Sequence, residues 1–201
     1  MAVSAREVQE LRRKSGAGVM DCKRALEECE GDIEKAAVLL RKQGMARADA
    51  RVSRAATEGL VASYIHAGGK IGVLVELNCE TDFVARTDEF RELARNLAMH
   101  VAAEQPHYVQ QEDVPEDVIE KEKEVYRALA IKEGRPEKVL DRIVEGRLKK
   151  FYSGVCLVDQ PYVRDDEKTV GELLRESRAK FGENILVRRF LRYQLGEENE
   201  S

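Results

Sequence analysis

No two of the four cysteines (Cys22, Cys29, Cys79, Cys156) stand at C-x-x-C spacing, and the three histidines (His66, His100, His107) are scattered. Cys22 and Cys29 are two helical turns apart, so neither set has the close ligand spacing of a zinc site. There is no excess of basic residues: 34 Lys and Arg stand against 38 Asp and Glu, a net charge of -4, which argues against a nucleic-acid binder held by bulk electrostatics and leaves only local basic patches. No run approaches the roughly 18 apolar residues of a membrane helix, and the first residues lack the layout of a secretion signal. Phosphate-binding loops of the G-x-x-x-x-G-K-[ST] type are also missing: Gly68-Gly69-Lys70 has the wrong spacing, and Gly16-Ala17-Gly18 has no strand before it. The expectation is a cytoplasmic, reduced protein with no metal, cofactor, small-molecule substrate, membrane or direct nucleic-acid partner, and no catalytic residues.

What is present is strong local punctuation. Ser4 and Glu7 form a capping box, with Val3 and Val8 placed as a hydrophobic staple and Gly16 as the stop. A second helix over about 20–30 carries Cys22, Ala25, Leu26 and Cys29, and Gly31-Asp32 ends it and caps a third with Ile33, Ala36, Ala37 and Leu40. Residues 1–44 are thus expected as a three-helix bundle resembling a ubiquitin-associated domain. Residues 45–56, rich in Ala and Arg, are expected as a linker with a composition that permits a helix.

The period then changes from helix to strand. Leu60, Ala62, Tyr64 and His66 share one face, as do Ile71, Val73, Val75 and Leu77. A two-residue primed turn at Gly68-Gly69 would set Tyr64 opposite Val73 and Leu60 opposite Leu77. Phe90, Leu93, Ala94, Leu97 and Val101 predict a helix from about Val84 or Thr87 to Glu104, packed on that sheet. Residues 112–153 read as an antiparallel helical hairpin turning at Gly134-Arg135-Pro136, its seam made by Val118, Val125 and Leu129 against Leu140, Val144, Leu148 and Phe151, projecting as a coiled-coil arm. Residues 154–163 are expected as a short edge strand ending at Pro161, followed by a helix opened by the Thr169/Glu172 capping box and stopped at Gly182. Ile185, Val187, Leu191, Tyr193 and Leu195 would form the inward face of a last strand, broken by Arg189, with Phe190 on the outer face. An acidic tail from Gly196 is expected to be disordered. The fold class is α+β, with 57–111 and 154–201 as the sheet-helix core.

Between the second strand and the following helix lies Glu76-Leu77-Asn78-Cys79-Glu80-Thr81-Asp82-Phe83-Val84-Ala85-Arg86. Two readings of it stand side by side. Asp82 caps the helix while Phe83, seven residues before Phe90, extends its apolar stripe into the core; or the pair is a presented wedge. Periodicity is compatible with both. Cys79 as a thiol nucleophile beside a histidine is a third, weaker possibility.

The run 76–86 and the earlier run 11–26, LRRKSGAGVMDCKRAL, resemble the two signature stretches of the translation elongation factor Ts family, and the EGRLKKFY, QPYV and KTVGELL segments at 145–152, 160–163 and 168–174 extend the likeness over most of the chain. The resemblance implies a guanine nucleotide exchange factor for elongation factor Tu that binds no nucleotide itself. It implies that Asp82 and Phe83, with Thr81 and Val84 around them, enter the GTPase beside its magnesium site, and that Val19 and Met20 rest on a helix of the GTPase domain. Phe83 is then expected to be at least partly exposed in the free protein.

Compared with longer members, one sheet repeat is found where they have two, and the chain ends soon after Leu195; a second copy replacing the missing half-sheet predicts a homodimer through the last strand and the Phe190 face. Ser15 stands where many members have threonine, which keeps the hydroxyl. The rival from a different class is an adaptor using the bundle and the arm, which gives Asp82 and Phe83 no task.

Overall fold

The computed structural model describes residues 3–197. Helix α1 (Ala5–Ser15) starts at its capping box: Glu7 N–H donates to the Ser4 hydroxyl at 3.3 Å and Ser4 N–H to the Glu7 carboxylate at 2.7 Å. Gly16 closes it in the left-handed conformation, φ 67°, which costs a glycine nothing sterically. Helices α2 (Val19–Glu28) and α3 (Ile33–Asp49) follow, and the Asp32 carboxylate caps α3 by accepting Lys35 N–H at 3.0 Å. Leu11, Cys22, Ala25, Leu26, Ala36 and Leu40 close a small core within these three helices.

The expected linker boundary at residue 44 is not where α3 ends. The helix continues through Gly44 to Asp49 because it has a partner, the helix Val170–Phe181. A Cβ at Gly44 would lie 3.6 Å from the Ala179 Cβ, Ala48 is fully buried, and Asp49 accepts Arg175 Nε at 2.7 Å. Close helix approach, which small residues permit, overrides the weak apolar periodicity of this segment.

Strands β1 (Glu58–Ile65) and β2 (Ile71–Cys79) pair antiparallel in the register the pattern predicts, Leu60 opposite Leu77 and Tyr64 opposite Val73. The turn is different. Gly69 N–H donates to the His66 carbonyl and His66 N–H to the Ile71 carbonyl, both at 2.9 Å, so residues 67–70 form a four-residue loop. The hydrogen-bonded turn is 66–69, with Ala67 and Gly68 at its centre; of these only Gly68 has positive φ (92°), the requirement of a type II turn and not of a primed one, and Gly69 follows at φ 68°. Both solutions keep the same residue sum across the hairpin, which is why the register survives.

After a four-residue helix α4 (Asp82–Ala85), α5 (Asp88–Glu104) begins with Thr87 as cap, Phe90 N–H donating to its hydroxyl at 3.3 Å. Phe90, Leu97 and Val101 pack against Val73, Val75 and Leu77 in the main core. The arm is α6 (Glu116–Lys132) and α7 (Glu137–Val155), with Pro115 and Pro136 at the two N-caps. On α7, Leu140 and Val144 are buried as expected; on α6 the seam is rotated by one residue. Val118 is half-buried like its neighbour Ile119, but Val125 and Leu129 are exposed while Tyr126 and Ala130 turn inward. Burial pushes the Tyr126 hydroxyl up to about 12, with a hydrogen bond to Glu122 adding to the effect. An aromatic residue beside a small one fills the narrow seam better than two branched aliphatics.

Residues 154–163 are not an edge strand of the main sheet. Helix α7 runs to Val155, a 3-10 turn spans Leu157–Asp159, and the short β3 (Pro161–Tyr162) pairs with β4 (Asp165–Thr169), a strand the apolar pattern did not reveal because it reads DDEKT. Helix α8 (Val170–Phe181) then starts at the Thr169/Glu172 capping box and ends at Gly182, φ 74°.

Strand β5 (Leu186–Gln194) completes a sheet of order β1-β2-β5, but its faces correct the expectation. Val187 opposes Leu77, Arg189 opposes Glu76 and Phe190 opposes Val75, so Arg188 is an extra residue in a bulge. The bulge turns both Arg188 and Arg189 outward and lets Val187 and Phe190 both face the core. Phe190 therefore packs inside, and Leu191, Tyr193 and Leu195 stand exposed on the opposite side with Val61, Ile65 and Leu74. Of the tail expected to be disordered, Glu197 accepts Arg192 Nη1 at 2.9 Å, and residues 198–201 lie outside the described residues. Among the described residues, no helix is long and apolar enough to cross a membrane.

Candidate partner-binding site

The junction between β2 and α5 is built from backbone polarity outward. Strand β2 ends at Cys79, whose thiol is fully buried and donates to the Thr81 carbonyl at 3.1 Å. Burial, with the negative charge of Glu183 behind it, pushes that thiol up to about 11. A thiol so protonated is a poor nucleophile, which removes the reading of Cys79 as a catalytic cysteine. The next two amides, of Glu80 and Thr81, leave the ladder, and both donate to the same oxygen of Glu183 at 3.0 Å; the Thr81 hydroxyl donates to the other at 2.6 Å.

Thr81 is the N-cap of α4, its hydroxyl accepting Val84 N–H at 3.5 Å. The cap assigned to Asp82 thus belongs to its neighbour. Val84 packs against the main core and Ala85 is buried. Of the four residues singled out here, Thr81 and Val84 anchor the turn, and the other two are presented. Phe83 is 82% exposed, so the core alternative for its ring does not describe this fold. Asp82 is half-exposed and its carboxylate accepts Arg86 at 2.8 Å, one turn on.

Val19 and Met20 form the first turn of α2, after the Gly16-Ala17-Gly18 loop, and are 50% and 65% exposed. They belong to the N-terminal bundle and not to the α4 junction. The path between the two runs along α3 and through residues 52–54, whose carbonyls meet Asn184: its side-chain amide donates to Val52 O at 3.1 Å and to Arg54 O at 2.8 Å, and its backbone N–H donates to the Glu80 carboxylate at 2.6 Å. Sequence reasoning missed Glu183 and Asn184. The available signal was a polar pair trapped in a short loop between the Gly182 helix stop and the buried Ile185.

Among the described residues no group of three or more His, Cys, Asp or Glu side chains could hold a metal ion. Cys22 and Cys156 are buried, and burial raises the Cys156 thiol to about 12. The fold and the junction together mount an aromatic ring and a carboxylate on a braced turn facing outward.

Comparison with known proteins then gives the family. A family model described as Elongation factor TS matches residues 33–197. A protein named Elongation factor Ts from Carboxydothermus hydrogenoformans is 57% identical over 195 residues, covering 97% of this chain and 90% of the relative. Its counterpart from Caldanaerobacter subterraneus subsp. tengcongensis is 58% identical over 195 residues, 97% of this chain and 98% of the relative, and that from Geobacter metallireducens is 55% identical over 197 residues, 98% and 91%. The chain belongs to the elongation factor Ts family.

Proposed function

We propose that this protein is a guanine nucleotide exchange factor for elongation factor Tu, releasing GDP by inserting Asp82 and Phe83 beside the magnesium site of the GTPase. The observation that carries this reading is the exposure of Phe83 on a turn otherwise held by buried contacts. A large ring kept in water at the end of a rigid strand is a ready contact for another protein. Burying it supplies roughly 1.5 to 3 kcal/mol, about two decades in an equilibrium constant at the upper limit. The Asp82 carboxylate adds an electrostatic contribution, since a bound magnesium ion is the largest local charge at such a site and a new negative group beside it disturbs its balance. Direct coordination by Asp82 is not required.

Val19 and Met20, exposed at the head of α2, supply a second contact on the GTPase domain, with the three-helix bundle acting as a ubiquitin-associated-like docking module and the α6–α7 coiled-coil arm widening the interface. The outer sheet face carrying Leu191, Tyr193, Val61, Ile65 and Leu74 is the surface for a second copy, making a cytoplasmic homodimer. This face takes the place of the Phe190 face in the same assembly. By linkage, whatever weakening the factor imposes on bound nucleotide, nucleotide imposes on the factor, so the ternary complex is transient and resolved by incoming GTP.

Stopped-flow release of fluorescent GDP from elongation factor Tu tests the reading. Wild type at micromolar concentration is expected to accelerate release, and Phe83→Ala and Asp82→Ala to accelerate it less. No acceleration by wild type would sink the assignment and favour an adaptor that uses the bundle and arm; equal acceleration by all three would keep exchange but remove Asp82 and Phe83 as its agents.

A further inference from the structure

We infer that Glu183 is the positioning residue of exchange: its carboxylate fixes the direction in which Phe83 is presented, acting through the backbone of Glu80 and Thr81. This rests on the reading of Phe83 as the inserted side chain.

Helix α4 is four residues long, too short to hold its own geometry, because nucleating one turn is unfavourable without outside support. The direction of Phe83 is therefore set from both sides, by the core contacts of Val84 and Ala85 after it and by the two residues before Asp82. Their amides have left the β2 ladder, and their partner is a carboxylate more than a hundred residues away in the chain. One group meets three donors there: two backbone N–H groups and the Thr81 hydroxyl. An ionised carboxylate suits that task because it is acceptor-only on both oxygens, and charge-assisted bonds of this kind are about twice as strong as neutral ones. The negative charge of Glu183 works against ionisation of the buried Cys79 thiol, yet among the described residues it makes no salt bridge that would explain it as an ion pair: its hydrogen-bond partners are the three donors. The neighbouring Asn184 ties the same step to residues 52–54 and to the Glu80 carboxylate, so the bracket is anchored on the side from which α3 and the bundle arrive.

A double-mutant cycle with full-length protein and GDP-loaded elongation factor Tu separates positioning from general stability. Glu183→Ala is expected to lower the maximal rate of GDP release about tenfold, equivalent to about 1.4 kcal/mol, with the half-saturating concentration changed less than about twofold. In the Phe83→Ala background the same substitution is expected to cost less than about threefold, since only the Asp82 carboxylate is left to aim. Glu183→Gln keeps one oxygen for the two amides, and its NH2 group faces a hydroxyl that rotates to accept; it is expected to return to within about threefold of wild type. If Glu183→Ala proves unfolded by circular dichroism, Glu183→Asp, which keeps the carboxylate but shortens its reach to the two amides and the Thr81 hydroxyl, carries the cycle instead, with a loss of about threefold that depends on Phe83. Equal fractional losses with and without Phe83, or no loss with Phe83 present, overturn the positioning role while leaving exchange by Phe83 intact. Wild-type activity of Phe83→Ala alone overturns the reading of Phe83 itself, and this inference with it.

Discussion

Replacing Phe83 and Phe90 separately by alanine removes the same side chain from two positions seven residues apart, and the fold assigns the two variants opposite outcomes. Phe90 is fully buried and meets Phe181 edge-on, ring centroids 6.0 Å apart. Truncating such a ring leaves a cavity and costs about 3–5 kcal/mol, which for a domain of this size lowers the melting temperature by roughly 6–20 °C. Phe83, 82% exposed, has little burial to lose, so its removal is expected to change stability by less than about 0.5 kcal/mol, with alanine as good a helix residue or better. Urea unfolding of wild type and both variants at one protein concentration measures the stabilities, concentration being fixed because self-association would otherwise shift them. GDP release from elongation factor Tu, normalised to the folded fraction, measures function. The expected pattern is a double dissociation: Phe90→Ala unstable but active while folded, Phe83→Ala stable but impaired in exchange. A destabilisation above about 2 kcal/mol for Phe83→Ala would mean that the ring is packed in the free protein, and any loss of exchange would then report damage to the fold.

Acid is expected to weaken the fold through His100, which is fully buried between the Gln160 amide at 3.0 Å and the Val163 N–H, donated to Nδ1 at 3.2 Å. Nδ1 must be unprotonated to accept, and burial depresses the pKa despite the opposing pull of Gln160 and Glu104. The unfolded chain thus takes up the proton first: stability is full above about pH 6.5 and falls below it, by up to about 1.4 kcal/mol per pH unit, until the folded pKa is passed. The favourable carboxylates of Glu7, Asp21 and Asp32 begin to be lost only nearer their ordinary values of 4.5 and 3.8, so urea midpoints at pH 7.5, 6.5 and 5.5 isolate the histidine. A His100→Gln variant should flatten the profile, and an equal slope in the variant would refute the assignment. Leu191→Glu and Tyr193→Glu should each turn a dimer into a monomer in light scattering; a monomeric wild type that still exchanges nucleotide rejects the assembly. Cys79, its thiol pushed to about 11 against an ordinary value of 9.0, should react with iodoacetamide at least about a hundredfold more slowly than a free thiol at pH 8, while the partly exposed Cys29 labels first; fast labelling of Cys79 would contradict the burial.

The features legible in the sequence are those set by neighbours in sequence. The Ser4 and Thr169 capping boxes, the Gly16 and Gly182 stops and the β1–β2 register each depend on residues a few positions apart, and each is found in the fold. Misreadings fall where a distant partner decides. Strand alternation from Val187 would place Arg189 in the core; the chain inserts Arg188 as a bulge instead, so the arginine that interrupted the pattern was itself the sign of the extra residue. Helix α6 offers Val118, Val125 and Leu129 at a spacing indistinguishable from that of Ile119, Tyr126 and Ala130; Val118 stays half-buried beside Ile119, but farther along the helix the opposing α7 selects Tyr126 and Ala130 over Val125 and Leu129. Phe83 was undecidable for a related reason. Its spacing from Phe90 fits one continuous helix, but α4 stops at Ala85 and α5 starts at Asp88 under its own cap, so the helical phase is not carried between them. Glu183 and Asn184 left no periodic trace at all, since their task is to satisfy amides and carbonyls contributed by other parts of the chain.

The mount also bears on how strong the wedge should be. A flexible loop carrying the same ring would lose conformational entropy on docking, whereas here the residues before Asp82 are already fixed by Glu183, and Val84 and Ala85 by the core. On the proposed function, in which Phe83 is the inserted ring, preorganisation of this kind would let most of the roughly 1.5 to 3 kcal/mol of ring burial appear as coupling between factor and nucleotide. The coupling is reciprocal, so a larger apolar wedge would resist expulsion by incoming nucleotide to the same degree that it speeds departure of the old one. On that proposal, one braced ring beside one carboxylate would be of the size that suits a factor working in both directions. On that reasoning, enlarging the apolar surface at the neighbouring exposed positions of the turn is expected to tighten the nucleotide-free complex and slow its resolution, not to raise turnover.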